Sequence, residues 1–186
     1  LLDSTIAVVN MDTHKVVKHI NLIKDYNPVT GAINGPVGAL PIQTPVSPDG
    51  KNMVTANTLT GTITVVDTST DTVVAMLPCD PGCHGVQYGA KKGGGYYAYV
   101  SSKFSNRMLV VDPDPNKDGN PKDAKIVGTV GLFSKASTAT DDTVSGNPGM
   151  GGQGILPIPV VYNGWVQNLP AVWGDKLTPA QRNPIQ

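Results

Sequence analysis

Charge is scarce in this chain, and what there is cancels. Fourteen Lys and Arg stand against fourteen Asp and Glu, only 15% of the 186 residues, for a formal net charge of zero. No basic stripe or acidic block is available, so the electrostatic footprint of a nucleic-acid or anionic-membrane binder is missing. Aromatic residues are equally sparse at 5%. No apolar run approaches the roughly 18–20 residues that a membrane-spanning helix needs, which predicts no transmembrane segment. There is no Ser-His-Asp order, phosphate-binding glycine loop or paired-carboxylate signature. No secretory leader precedes the first strand either; the chain opens at Leu1-Leu-Asp3, which predicts a processed or truncated product.

Glycine (21) and proline (16) are abundant, and with 39% hydrophobic content they point to an ordered, turn-rich, all-β protein rather than to disorder. One phrase occurs three times. Asp3-Ser-Thr-Ile-Ala-Val-Val-Asn-Met-Asp-Thr-His-Lys-Val-Val17 returns as Thr60-Gly-Thr-Ile-Thr-Val-Val-Asp-Thr-Ser-Thr-Asp-Thr-Val-Val74. It returns again, with an insertion, as Ser105-Asn-Arg-Met-Leu-Val-Val-Asp112 running on to Ala124-Lys-Ile-Val127. Each copy reads as a β-branched strand, an Asx turn and a second strand. A repeat of about 40–60 residues made only of short strands predicts an array of four-stranded antiparallel β-propeller blades.

Counting strands divides the chain. Residues 1–24 supply strands three and four of one blade, 38–78 a full blade, 83–130 a second, and 150–168 strands one and two of another. Together, 1–170 form a partial propeller and 171–186 a C-terminal tail, with one helical turn over 177–184. About three blades' worth is below the ~4 that ring closure needs, so the chain reads as part of a larger propeller. Loops at 25–38 and 134–152 interrupt the pattern, and Trp165 and Trp173 follow. Tyr97 and Tyr99 alternate onto one strand face and Tyr96 onto the other, as blade packing requires.

Three sets of residues have chemistry in them. Cys79-Asp-Pro-Gly-Cys83-His84 is short by design of either haem or copper: a c-type haem takes Cys-x-x-Cys-His, and here one residue too many separates the thiols. Cys-x-x-x-Cys copper sites want a further His or Met, and Gln87 occupies that place. The pair is left as metal ligands, a redox dithiol or a local disulfide. Asp112 begins a second set, in which Asp114-x-Asn116-x-Asp118-Gly119 matches the start of a calcium loop, although position twelve is Lys125 instead of a bidentate Glu. A solvated Asx-rich hairpin tip is the competing reading. His84 is the third: aligned on the repeat, His84-Gly-Val matches Thr44-Pro-Val at the entry to an innermost strand. His14 and His19 fall in or beside an outer hairpin among lysines, where a surface role is expected.

Val46-Ser-Pro-Asp-Gly-Lys51, Val54-Thr-Ala-Asn57 and Ile63-Thr-Val-Val-Asp-Thr-Ser-Thr-Asp-Thr-Val-Val74 resemble the YVTN-type propeller repeat, strongly over 38–78 and more loosely over 1–20 and 84–130. The resemblance implies a seven-bladed propeller of bacterial or archaeal surface or periplasmic proteins, akin to propeller domains of periplasmic oxidoreductases. It implies a periplasmic or extracellular location, hence a Cys79–Cys83 disulfide. It also implies that His84 lies at the mouth of the central channel, where related enzymes bind metal or haem. The expected function is an exported scaffold or binding module of an oxidoreductase system, with a protein partner or the remaining blades as its partner. Two alternatives stand beside it: a propeller that gives ligands to a redox copper or haem, and a calcium-stabilised surface adhesion repeat.

Overall fold

The computed structural model describes residues 4–23, 39–80, 82–105, 107–132 and 152–157. The expected loops at 25–38 and 134–151, strand at 163–168, two tryptophans and tail turn lie outside the described residues. Among these residues, nine strands form three antiparallel sheets in chain order: β1 (Thr5–Asn10) with β2 (Lys15–Asn21); β3 (Asn52–Asn57), β4 (Thr62–Asp67) and β5 (Thr72–Pro78); then β6 (Cys83–Ala90), β7 (Tyr96–Ser102), β8 (Arg107–Asp112) and β9 (Lys125–Gly131). Each sheet is a plain meander. Among the described residues the only helical piece is a 3-10 turn over Pro121–Asp123, opened by Asn120.

The threefold phrase folds the same way each time. Val8 faces Lys18 and Val9 faces Val16, so Val17 is extra in its strand. Val65 faces Ala75 and Val66 faces Val73, which leaves out Val74. Val110 faces Gly128 and Val111 faces Ile126, which leaves out Val127. A β-bulge thus falls between the two valines of every Val-Val-Asx, where it sharpens the local twist. The Asx that follows caps its own turn: Asn10 Oδ1 accepts from Thr13 N at 2.8 Å, Asp67 Oδ1 from Ser69 N at 2.8 Å, and Asp112 Oδ1 from Asp114 N at 3.2 Å. His14 (φ 53°) and Asp71 (φ 50°) hold the left-handed last position of the first two turns, and Gly61 (φ 62°) does so between β3 and β4.

The unit at 38–78 was expected to have four regular strands. It has three, and its innermost strand survives only as the bridges Pro41 to Asn57 and Val46 to Met53. Pro41 and Pro45 have no N–H to donate, so a continuous ladder cannot form there. Single bonds hold the segment instead, from Val54 N to Pro45 O (3.4 Å), Ser47 N to Asn52 O (2.7 Å) and Thr58 N to Leu40 O (3.2 Å).

The sheets stack face to face. Val54, Ala56, Ile63 and Val65 of the middle sheet pack with Cys83, Val86, Tyr88, Ala98, Val100, Leu109, Val111 and Ala124 of the third. On its other face, Met53 and Val66 pack with Ile20, flanked by Ile6, Val8 and Val73. The middle sheet is therefore covered on both sides, and every residue of β3 is buried. Two-sided burial explains why β3 and β4 carry β-branched residues on both faces, while the outer β2 and β9 alternate or lie exposed.

Against the far face of the third sheet lies the 152–157 segment. An added Cβ on Gly85 would meet Gln153 O at 2.5 Å and Gly154 Cα at 2.9 Å, so only glycine admits that close approach. The Tyr97 and Tyr99 rings share this face, edge to face at 6.4 Å between centroids, while Tyr96 packs on the opposite side against the core. The alternation read from sequence places all three tyrosines as found.

Candidate functional site

The structure does not bring the chemistry-bearing residues together: Cys79, Cys83 and His84 lie where the middle sheet hands over to the third, and residues 112–118 leave the opposite end of the third sheet. β5 ends at Pro78, and the link to β6 is pinned by Cys79 N donating to Gly61 O (2.8 Å) and Cys83 N donating to Asp80 O (3.1 Å). Asp80 anchors it further. Its carboxylate accepts from Arg107 Nε at 2.7 Å, from a second guanidinium nitrogen, and from Ser105 Oγ at 3.0 Å. Gly82 O accepts from Lys103 N at 2.8 Å. The sequence pattern singled out neither Asp80 nor Arg107, because their partnership spans 27 positions and has no local signature.

Both cysteines are free thiols in the structure. Cys83 is fully buried, with Sγ 3.5 Å from Asn57 O and 3.6 Å from Thr62 O. Cys79 is half-buried, its Sγ 4.0 Å from Ser102 Oγ. The neighbouring Cys79 sulfur, and then burial, push the Cys83 thiol far above its ordinary range. Cys83 is accordingly a protonated, inert thiol unless it is oxidised.

His84 sits in an irregular stretch of β6, where the register against β7 shifts between Cys83 and Val86. Its Nδ1 lies 2.8 Å from Gln153 O. A carbonyl oxygen only accepts, so Nδ1 carries a proton, and in the neutral ring Nε2 is the nitrogen with the lone pair. That carbonyl–imidazole arrangement is the one that orients a metal-binding histidine. Next to it, Gln43 Oε1 accepts from Val86 N at 2.7 Å and ties the innermost segment of the middle sheet to β6. His14 and His19 are exposed on the first sheet, as expected from sequence. Among the described residues, no group of three or more His, Cys, Asp or Glu is arranged to hold a metal ion.

The 112–123 loop is organised by its own backbone and by one lysine. Asp114 accepts from Asp118 N (3.1 Å) and Gly119 N (2.9 Å). Asn116 Oδ1 accepts from Asp118 N (3.2 Å), and Asp118 Oδ1 from Asn120 N (2.7 Å). Asp112, the first of the calcium-candidate residues, instead holds Lys91 Nζ at 2.7 and 2.8 Å through its two oxygens. The Asp114 carbonyl lies 3.5 Å from the same ammonium, and the Tyr97 ring centroid 5.0 Å away. Lys91 thus stands as an internal cation beside the loop, with both side chains of the pair almost sealed from solvent. No short motif marks Lys91 as the partner of Asp112, which lies 21 positions away. The cue that marks it is the insertion itself, since the third copy alone has a long loop after its Asx.

The class that follows is all-β: the described residues form three stacked antiparallel sheets. No family model matches it, and no curated protein matches it significantly. Among the described residues, no helix is long and apolar enough to cross a membrane.

Proposed function

We propose that the chain is a run of blades from an exported β-propeller of the YVTN-repeat kind, serving as a rigid scaffold or binding face in a periplasmic or extracellular oxidoreductase system. The observation that carries this reading is the stacking: three meander sheets lie in chain order, each built round the same bulged hairpin, and the middle one is buried on both faces. The 152–157 segment lies on the next face in line, where a following blade would begin. Two, three and four strands amount to fewer blades than a ring needs, so the reading places the chain in a larger, seven-bladed ring. The same reading puts Cys79 and Cys83 in an oxidising compartment, where they pair as a disulfide in the blade-to-blade link.

Electron-microscope projections of the full encoded protein test the ring directly. Closed rings viewed down the axis support it, and an open stack of sheets refutes it. Intact mass under non-reducing conditions tests the disulfide through the loss of two hydrogens.

One observation favours a second reading, in which the propeller lends a ligand to a redox metal or haem. His84 Nδ1 is engaged by the Gln153 carbonyl, which leaves Nε2 as the ring nitrogen that a neutral imidazole would offer a metal. A visible spectrum and metal analysis of the full protein discriminate between the two. A Soret band or stoichiometric copper, lost on His84→Ala, overturns the pure scaffold.

A further inference from the structure

The face of the middle sheet turned toward the first sheet contains a polar island. Thr55, Asn57, Thr62 and Thr64 lie on it, all fully buried, beside the apolar Met53 and Val66. Asn57 Nδ2 donates to Thr62 Oγ1 at 2.9 Å and to Thr64 Oγ1 at 2.8 Å, and Thr60 Oγ1 lies 2.9 Å from Thr62 Oγ1. Two atoms have no hydrogen-bond partner: Thr55 Oγ1 and Asn57 Oδ1. Turning the amide over merely exchanges which end of Asn57 is unpaired. Buried polar groups in folded proteins nearly always have partners, and each unpaired one costs the desolvation of that group.

The neighbouring sheet shows that polarity here is a feature of this interface and not of the fold. β3–β4 and β7–β8 are equivalent hairpins offset by 45 positions, since Thr55 faces Thr64 where Val100 faces Leu109. Val100 and Leu109 belong to the apolar core between the middle and third sheets. The same backbone positions are therefore dry in one interface and hydroxyl-lined in the other. Valine, the isostere of threonine, already fits this position in the next sheet.

We propose that a single buried water binds between Thr55 and Asn57, accepting from the Thr55 hydroxyl and donating to Asn57 Oδ1. Alternate residues on one strand face are about 6.6 Å apart, too far for these short side chains to bond directly, while a bridging water spans the gap with two ordinary hydrogen bonds. The directions match, because the hydroxyl has a proton to give and the amide oxygen needs one. A metal ion does not suit the site: calcium takes six or more oxygens, commonly from carboxylates, and this island is neutral. A water needs two to four polar partners, and these two atoms supply the minimum. The water would extend the Asn57–Thr62–Thr64 network and fix the seating of the first sheet on the second.

Thr55→Val in the full chain reads the proposal by its sign. With a water present, the substitution removes one of its partners and strands Asn57 Oδ1, so the unfolding equilibrium constant rises about tenfold. In a dry site it removes an unpaired hydroxyl at constant volume, and stability stays level or increases; either result overturns the proposal. A crystal structure that resolves other buried waters supplies an independent measurement. It must show density within hydrogen-bond distance of both Thr55 Oγ1 and Asn57 Oδ1, and an empty or directly bonded pair overturns the proposal.

Discussion

Replacing Lys91 with methionine isolates the more deeply buried of the ion pairs found among the described residues. Methionine keeps most of the aliphatic stem and removes the ammonium that both Asp112 oxygens hold at 2.7 and 2.8 Å. With side chains only 7% and 9% exposed, solvent cannot move in to replace it freely. Breaking one side of a buried pair leaves an uncompensated charge and costs about 3–5 kcal/mol. A compensating change is already written into the repeat, since Asn10 occupies the place of Asp112 in the first copy and caps its turn through Oδ1. Lys91→Met with Asp112→Asn therefore keeps the cap and removes both charges. The double variant is expected to recover most of the loss, with a coupling of about 2 kcal/mol between the sites. Urea unfolding at neutral pH, followed by circular dichroism for all four proteins of the cycle, measures it. A single-variant loss below about 1 kcal/mol, or strictly additive losses, refutes the view that this pair is buried and coupled.

Gly85→Ala drives a Cβ into the Gln153 carbonyl and the Ser101 hydroxyl, and backbone cannot yield as a side-chain tip does. Hydrogen exchange should then rise in 152–157 and in the His84 region while β3 and β4 stay protected; unchanged exchange refutes the close approach. Tyr88 is buried and donates to Asn52 Oδ1 at 2.5 Å, and burial, helped by the Asp49 charge, raises its phenol well above the usual 10. The native state thus holds a proton that the unfolded chain releases near pH 10, so stability falls as pH rises past that value. Tyr88→Phe should remove this alkaline slope and cost about 1–2 kcal/mol at neutral pH through the orphaned Asn52 oxygen. An unaltered slope in the variant contradicts the assignment. Asp67 is held below the ordinary 3.8 by the Ser69 hydroxyl and then the Ser69 amide. Its contribution is complete above pH 3.8 and fades as pH falls through the lower folded value, so a carboxyl NMR titration with a midpoint at or above 3.8 sinks this assignment.

Much of the strand plan was legible because the repeat compares the chain with itself. Val65-Val66-Asp67 identified in one copy locates Val8-Val9-Asn10 and Val110-Val111-Asp112 in the others, and all three carry the bulge. The innermost segment at 41–46 was overread as a regular strand, for periodicity is blind to the two prolines that withhold its ladder. Local motifs were also poor guides to the site. The spacing from Asp114 to Gly119 says calcium loop, yet Asp112 just before it takes its partner from 21 positions away. Asp80 and Arg107, Gln43 and Val86, and His84 and Gln153 are likewise long-range pairs. Hydrogen bonds between sheets depend on how the sheets stack, and no window of sequence contains that.

The asymmetry of the two outer faces bears on how such a stack continues. The first sheet leaves Val9 (45%) and Val16 (52%) open on the side away from the core, and their register places them directly opposite one another. The third sheet has glycines at 85 and 89 on its outer face, where an added Cβ would strike Gln153 O and Gly154 at the first and the Tyr99 ring and Pro157 at the second. One end is thus built to be covered by side chains, the other to admit backbone. The division is confined to the two ends: inside the stack, side chains meet side chains, as Val54, Ala56, Ile63 and Val65 pack against Val86, Tyr88, Ala98 and Val100, and Pro45 stands where the third sheet has Gly85. Replacing Gly85 should therefore displace the 152–157 segment while leaving the apolar core between the middle and third sheets in place.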